Sequence, residues 1–162
     1  MVRLPVFSLL LCLFVSLAAH AATHVWTGAA DDHFANASNW IGGSPVGDPS
    51  AAISFPASGR PAATNDLNGL TVQSIAFSAG GFTISGNPIT LAANATVIDT
   101  SQGTNTISCN LALAGDIAVA VNGSIYDAKG LTLSGVISGP GGVTLRSGGH
   151  LIYAGSQPNS YS

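Results

Sequence analysis

Short runs in which apolar and polar residues alternate recur along the chain from Leu67 onward. Clear examples are Ile89/Leu91, Leu111/Leu113 and Ile117/Val119/Val121. Segments rich in Gly, Asn, Ser and Pro separate the runs, and no uninterrupted stretch of helical periodicity reaches ten residues. Alternation with period two is typical of strands that bury one face, and the intervening segments are typical of turns. The sequence therefore predicts an all-β protein.

Two all-β architectures fit many short strands: an antiparallel β-sandwich, and a parallel β-helix in which each coil of the chain stacks on the one before. Three related tetrads recur at separations of 23 and 26 residues, the length of one solenoid coil. They are Ile84-Ser85-Gly86-Asn87, Ile107-Ser108-Cys109-Asn110 and Leu133-Ser134-Gly135-Val136. The repeat favours a parallel β-helix of about three to four coils over residues 67–162, with the antiparallel β-sandwich as the alternative.

Residues 1–21 have the features of a secretory signal peptide. Arg3 supplies the positive charge, Leu9–Leu17 the apolar stretch and Ala19-His20-Ala21 the small-x-small cleavage site. The apolar stretch is shorter than the roughly 20 residues that span a bilayer, so we expect cleavage and no stable membrane span afterwards. Cleavage leaves Cys109 as the only thiol, which excludes an intrachain disulfide. We expect Cys109 to be buried as a small hydrophobic residue.

Residues 22–66 are predicted to form an irregular N-terminal head or cap, because both tryptophans of the chain and several of its prolines lie here. Paired tryptophans in a Gly-rich head typically plug the end of a core. If their indole faces are exposed instead, they form a platform on which a sugar ring can stack. Trp26 and Trp40 are therefore the candidate residues for glycan binding, and a buried plug is the favoured interpretation.

The chain carries few charges. It has four Lys and Arg residues, seven acidic residues that are all Asp, and a formal net charge of −3. A protein that neutralises a run of phosphates needs a basic patch, and this composition supplies none. Nucleic acid is therefore not an expected partner.

The densest polar cluster is Asp31-Asp32-His33, with His24 nearby. Carboxylate oxygens and imidazole nitrogens are metal ligands, but the spacing matches no specific site. A calcium-binding loop would need acids or amides at alternate positions before a Gly, and Asp31 is not followed by that pattern. The sequence predicts a solvated turn here and no metal site.

Clustered carboxylates can cleave glycans by acid–base chemistry, which makes Asp99, Asp116 and Asp127 the candidates to consider. They lie 17 and 11 residues apart, which is less than one coil, so we expect them not to stack on one face. The chain also has no Gly-x-Ser-x-Gly nucleophile elbow. The sequence predicts a non-enzymatic protein without a cofactor, and a polysaccharide lyase or hydrolase is the less favoured alternative.

Several segments together resemble bacterial autotransporter-associated β-strand repeat proteins, and the resemblance covers nearly all of the chain after residue 21. They are Trp26-Thr27-Gly28, Asn36-Ala37-Ser38-Asn39-Trp40, Phe82-Thr83-Ile84-Ser85-Gly86-Asn87-Pro88-Ile89-Thr90-Leu91, Gly142-Val143-Thr144-Leu145, Leu151-Ile152-Tyr153-Ala154-Gly155 and the terminal Asn159-Ser160-Tyr161.

The resemblance implies an exported, right-handed parallel β-helix at the bacterial cell surface, used for display or adhesion. Because the chain stops near the end of the first clear repeat, we expect a truncated product or an N-terminal fragment of a longer passenger. A β-helix that ends on an uncapped coil invites edge-to-edge association. The expected partners are a cell-surface glycan or another β-helix subunit that stacks on the open end.

Overall fold

A computed structural model describes residues 22–123 and 129–162. The predicted signal peptide at residues 1–21 and the candidate Asp127 lie outside the described residues. In the two described ranges the chain forms strands and one short 3-10 helix at Ala37–Asn39. The strands are β1 (Thr23–Trp26), β2 (Trp40–Ile41), β3 (Ala51–Phe55), β4 (Ala62–Asn65), β5 (Thr71–Phe77), β6 (Thr83–Gly86), β7 (Ile89–Asp99), β8 (Asn105–Ile107), β9 (Leu111–Leu113), β10 (Ile117–Val121), β11 (Gly130–Leu133), β12 (Ile137–Gly139), β13 (Val143–Leu145), β14 (His150–Tyr153) and β15 (Ser160–Tyr161).

The strands stack as parallel coils and form a β-solenoid of about five turns, which confirms the predicted all-β parallel β-helix. Strands β4, β6, β8, β11 and β14 form a five-stranded parallel sheet. The other strands form a second sheet that turns a corner, because β7 pairs with β9 through its first residues and with β10 through its last. Among the described strands, only β1 and β2 pair antiparallel. The alternative of an antiparallel β-sandwich is therefore wrong.

The three tetrads mark successive turns of the solenoid. Ile84 pairs with Ile107 and Ile107 with Leu133, all in the five-stranded sheet. The apolar residues that follow the tetrads are also in register, since Ile89 pairs with Leu111 and Leu111 with Ile137. A sequence repeat of this length therefore reports directly which residues lie above one another.

The solenoid is longer than the three to four coils predicted from the repeat. Strand β3 pairs in parallel with β5, and β4 pairs in parallel with β6, so residues 22–66 already supply ladder strands. The sequence repeat does not reveal them because Ala63 occupies the inward position that Ile84 takes on the next turn. The irregular part of the head is confined to the segments around these strands.

The interior consists of rows of inward side chains. One row, Ile53, Ile75, Val97 and Val119, passes through four strands in register, and each member is at most 2% exposed. Burial of each such side chain contributes about 1.5–3 kcal/mol to folding. Cys109 is buried as predicted, and this burial raises the pKa of its thiol to about 12.

Side chains at the corners bind the backbone of the adjacent turn. Asn110 Oδ1 accepts the Val136 N–H at 2.9 Å, and Asn159 Oδ1 accepts the Ile137 N–H at 2.9 Å. At another corner a Cβ on Gly80 would lie 2.6 Å from the Cα of Gly103, so the turns approach too closely for side chains there. These contacts hold the turns in one register without charged residues.

Candidate functional site

Trp26 and Trp40 lie inside the N-terminal end of the core, where Trp26 is fully buried and Trp40 is 6% exposed. Their ring centroids are 4.9 Å apart, and the Phe34 ring lies 5.4 Å from Trp26 and 5.0 Å from Trp40. The Trp26 indole N–H donates to the Arg60 carbonyl and the Trp40 N–H to the Phe34 carbonyl, both at 2.9 Å. A sugar-stacking platform at these residues does not fit this placement, because neither indole face is open to solvent. The two rings form a plug.

A buried carboxylate lies on the turn after the aromatic residues. Asp99 pairs in register with Phe77 and is 1% exposed. Its Oδ1 accepts the Ser101 N–H at 2.9 Å, and its Oδ2 accepts the Asn105 side-chain N–H at 3.0 Å. Asn105 Oδ1 in turn accepts the Phe82 N–H at 2.9 Å. The hydrogen bonds compensate the burial of the charge, and Asp99 has no route to a substrate.

Asp116 lies on the outside of the solenoid, at the corner before β10. Asp99 faces the interior from the end of β7, so these two carboxylates do not share a face. A glycosidase needs two carboxyl groups on one cleft, within about 10 Å of each other. The described part of the chain does not form such a pair from Asp99 and Asp116.

Asp31 holds the loop of the head together. Its carboxylate accepts hydrogen bonds from the His33 backbone N–H at 2.9 Å and from the side chains of Asn36 and Asn39 at 2.7 and 2.6 Å. These bonds, the one from His33 first, lower the pKa of Asp31 to about 2. His33 is half exposed, and its ring nitrogens lie 3.7 Å from Asp32 and from Asp66. In residues 22–123 and 129–162, no three His, Cys or Asp side chains are grouped to hold a metal ion.

His24 connects β1 to the segment 43–50. Its Nδ1 is 2.8 Å from the Gly43 carbonyl oxygen and its Nε2 is 3.2 Å from Asp48 Oδ2. Both partners are hydrogen-bond acceptors, so each contact is made by a protonated ring nitrogen. The pKa of Asp48 is lowered, first by the Ser50 backbone N–H and also by His24. The pair fixes the segment beside the plug.

A polar groove of about 520 Å³ crosses three adjacent strands, β7, β10 and β13. Thr96, Ala118 and Thr144 lie in one register row across these strands. The small Ala118 side chain between two threonines makes the floor of the groove. The lining residues are Asn94, Thr96, Asp116, Ile117, Ala118, Thr144 and Arg146. We call this site the Asp116–Arg146 groove.

The groove contains one anion and one cation. Asp116 Oδ1 accepts the Gly142 N–H at 2.8 Å, and Oδ2 has no donor among the described residues. The Arg146 guanidinium likewise has no acceptor within the described part of the chain, and it forms no ion pair there. Ile117 pairs with Val143, so Asp116 and Arg146 lie on adjacent strands and are separated by four strand positions, about 13 Å along the strand direction. Sequence reasoning did not identify Asn94 or Arg146; the 26-residue offset from Ala118 to Thr144 was the signal that could have found the groove.

The two ends of the solenoid differ. At the N-terminal end the aromatic plug covers the core and β2 and β4 each pair with one named strand, with the β4 edge also bridged by His33 at Thr64. At the other end β13, β14 and β15 each pair with only one strand among those described, and no plug covers the core. Leu145, Ile152 and Tyr153 on this last turn are 46%, 37% and 44% exposed. Burial and a hydrogen bond with Tyr161 raise the pKa of Tyr153 to about 12. The last turn therefore presents apolar side chains and unpaired strand edges.

No protein-family model, no curated protein and no solved structure matches this chain. The resemblance to autotransporter-associated repeat proteins therefore stays a prediction. Within the described ranges, no helix has the length and apolar character needed to cross a bilayer.

Proposed function

We propose that the protein is an exported, non-enzymatic scaffold that is secreted or held at the bacterial cell surface, with a structural, display or adhesion role. The observation that carries this proposal is the difference between the two ends of the solenoid. The N-terminal end is sealed by Trp26, Phe34 and Trp40, and the last turn is open. A sealed start and an open end are what a rod that joins another β-helix requires.

The sides of the rod suit display in water. Thr83, Thr106 and Thr132 lie in register along the five-stranded sheet, and their hydroxyl groups form no hydrogen bond within the described chain. Threonine is favoured at such positions because its branched side chain packs well on a pleated sheet. The rod therefore offers a neutral, hydroxyl-bearing surface supported by backbone ladders.

The partner at the open end is another β-helix subunit. Strand edges pair with edges that offer matching donors and acceptors, and burial of Leu145 and Tyr153, which continue inward rows onto the open end, adds an apolar contribution. Two copies of this protein can join through their open ends, where β13, β14 and β15 each offer an unpaired edge. An isologous contact of this kind closes at a dimer.

Sedimentation analysis of the exported protein tests the proposal. We expect a concentration-dependent dimer that Leu145→Lys weakens by at least about tenfold, because Leu145 continues the inward row of Val119 onto the open end and the charge is desolvated at the contact. Ile152→Lys is the matched control, since Ile152 lies on the same last turn but continues the outward row of Thr132 on the side of the rod. A wild-type protein that stays monomeric at every concentration would contradict end stacking. Retention of the full chain inside the cell would contradict export.

A further inference from the structure

We infer that the Asp116–Arg146 groove binds a neutral oligosaccharide, with hydroxyl groups of one sugar ring on the carboxylate and hydroxyl groups of another ring on the guanidinium. The inference deepens the proposed adhesive role and rests on it, because it names the ligand class that an exported rod would hold.

The Asp116 carboxylate is held in one orientation. The Gly142 N–H holds Asp116 Oδ1 at 2.8 Å and leaves Oδ2 as an acceptor. The Asn94 N–H also donates to the Asp116 carbonyl at 2.8 Å, which places the exposed Asn94 beside the carboxylate. Asn94 has a φ of 61°, and Asn adopts this left-handed backbone more readily than most residues. A carboxylate that is already oriented loses little freedom when a ligand binds.

The charges of the groove balance. One carboxylate and one guanidinium give the groove no net charge, and neither group has an ionic partner within the described residues. An anionic ligand would meet Asp116 and a cationic ligand would meet Arg146. Hydroxyl groups both donate and accept, so a polyhydroxyl ligand satisfies both groups at once.

The length and the lining of the groove indicate the size of its ligand. The charged residues lie about 13 Å apart along the strands, so a ligand of more than one sugar ring would span them. Thr96, Ala118 and Thr144 lie in one row midway between them, and the small Ala118 leaves room there for the C–H face of a sugar ring. The volume of about 520 Å³ lies within the range of small-molecule sites.

The test is a titration of isotopically labelled exported protein with neutral oligosaccharides of glucose, xylose and mannose, followed by the amide signals of Gly142 and Thr144. An oligogalacturonate and inorganic phosphate serve as anionic probes. We expect one of the neutral oligosaccharides to shift these signals in a saturable manner, and the anionic probes to leave them unchanged. If oligogalacturonate binds, and Arg146→Gln but not Asp116→Asn removes this binding, the ligand is anionic and the inference of a neutral saccharide is wrong.

Two substitutions remove the charged groups without removing the fold. Asp116→Asn keeps an oxygen for the Gly142 N–H, and Arg146→Gln keeps an exposed polar side chain. Each is expected to weaken binding at least about tenfold, because each removes charge-assisted hydrogen bonds. Asp66→Asn is the matched control for the acid, since Asp66 Oδ1 also accepts one backbone N–H at 2.8 Å, from Ala35. Lys129→Gln is the control for the cation.

A third substitution, Ala118→Leu, fills the floor and is expected to abolish binding while the two flanking threonines remain. Unchanged affinity in all three groove variants, or no shift with any neutral probe, would overturn the inference. Dimers in sedimentation analysis together with an empty groove would leave the scaffold proposal standing. Cleavage of a bound oligosaccharide, detected by mass spectrometry, would contradict the proposed non-enzymatic role. It would still support saccharide binding in the groove.

Discussion

Asp99 pairs in register with Phe77, so a buried carboxylate follows an aromatic ring in the same ladder position of the solenoid. The pairing is tolerated because Asn105 and the Ser101 backbone N–H both donate to the carboxylate. The same Asn105 side chain binds Phe82 and so connects Asp99 to the neighbouring turn. A polar contact inside the core thus joins two turns that burial alone would leave free to slide.

Asp99→Ala is expected to lower the free energy of unfolding by about 2–3 kcal/mol, because it leaves buried donors without an acceptor. Urea unfolding followed by circular dichroism measures the change. Asp99→Asn, which keeps one acceptor oxygen, should cost less than Asp99→Ala. Equal stability of Asp99→Ala and the wild type would show that water replaces the carboxylate.

Trp26→Ala is expected to cost about 3–5 kcal/mol, since it opens a cavity in the aromatic plug. Val46→Ala is the control: Val46 is 61% exposed, and its truncation should change stability by less than about 0.5 kcal/mol. Tryptophan emission of the folded protein should be blue-shifted and unaffected by added oligosaccharide. Red-shifted emission that a sugar quenches would place the indoles in solvent and contradict the plug.

Asp31 predicts a dependence of stability on acid pH. Its folded pKa of about 2 lies below the ordinary value of 3.8, so its carboxylate stabilises the fold above about pH 4. This stabilisation is lost as the pH falls from about 4 to about 2. Asp31→Asn should therefore be less stable than the wild type near neutral pH and approach it near pH 2. A stability difference that is the same at both pH values would contradict the assignment.

Cys109 should be unreactive in the folded protein. Its thiol is buried and its pKa is raised to about 12, so almost no thiolate is present at mildly alkaline pH. We expect slow modification by iodoacetamide in buffer and complete modification in guanidinium chloride, measured by mass. A single modified cysteine in the exported protein would also agree with removal of the predicted signal peptide, whereas two would contradict it.

The prediction of a parallel β-helix depended mainly on the sequence repeat. The tetrads at Ile84, Ile107 and Leu133 identified residues that pair in register, because stacked turns of similar length place equivalent positions above one another. The turn count was underestimated because Ala63 does not show the aliphatic signature of the residues above it. A small residue such as alanine fits a β-ladder as well as a large one does. A pattern of large apolar residues does not reveal it.

The fate of the tryptophans depends on tertiary contacts. The sequence predicted either a plug or a platform for Trp26 and Trp40, and only the positions of Phe34 and Arg60 decide between them. Whether an indole is exposed depends on neighbouring residues that are distant along the chain. The spacing of residues within the head does not predict which residues those neighbours are.

The sequence by itself determined the strand class and the stacking of turns, since alternation and repeat length follow from local backbone geometry and the periodicity of a coil. The tertiary structure alone decided that Asp99 turns inward and that Asp116 and Arg146 face one groove. Those two residues are 30 positions apart in the sequence, and they line the same groove because the register between β10 and β13 places them only four strand positions apart. Register is set by the packing of the whole interior, and that packing is a property of all the turns together.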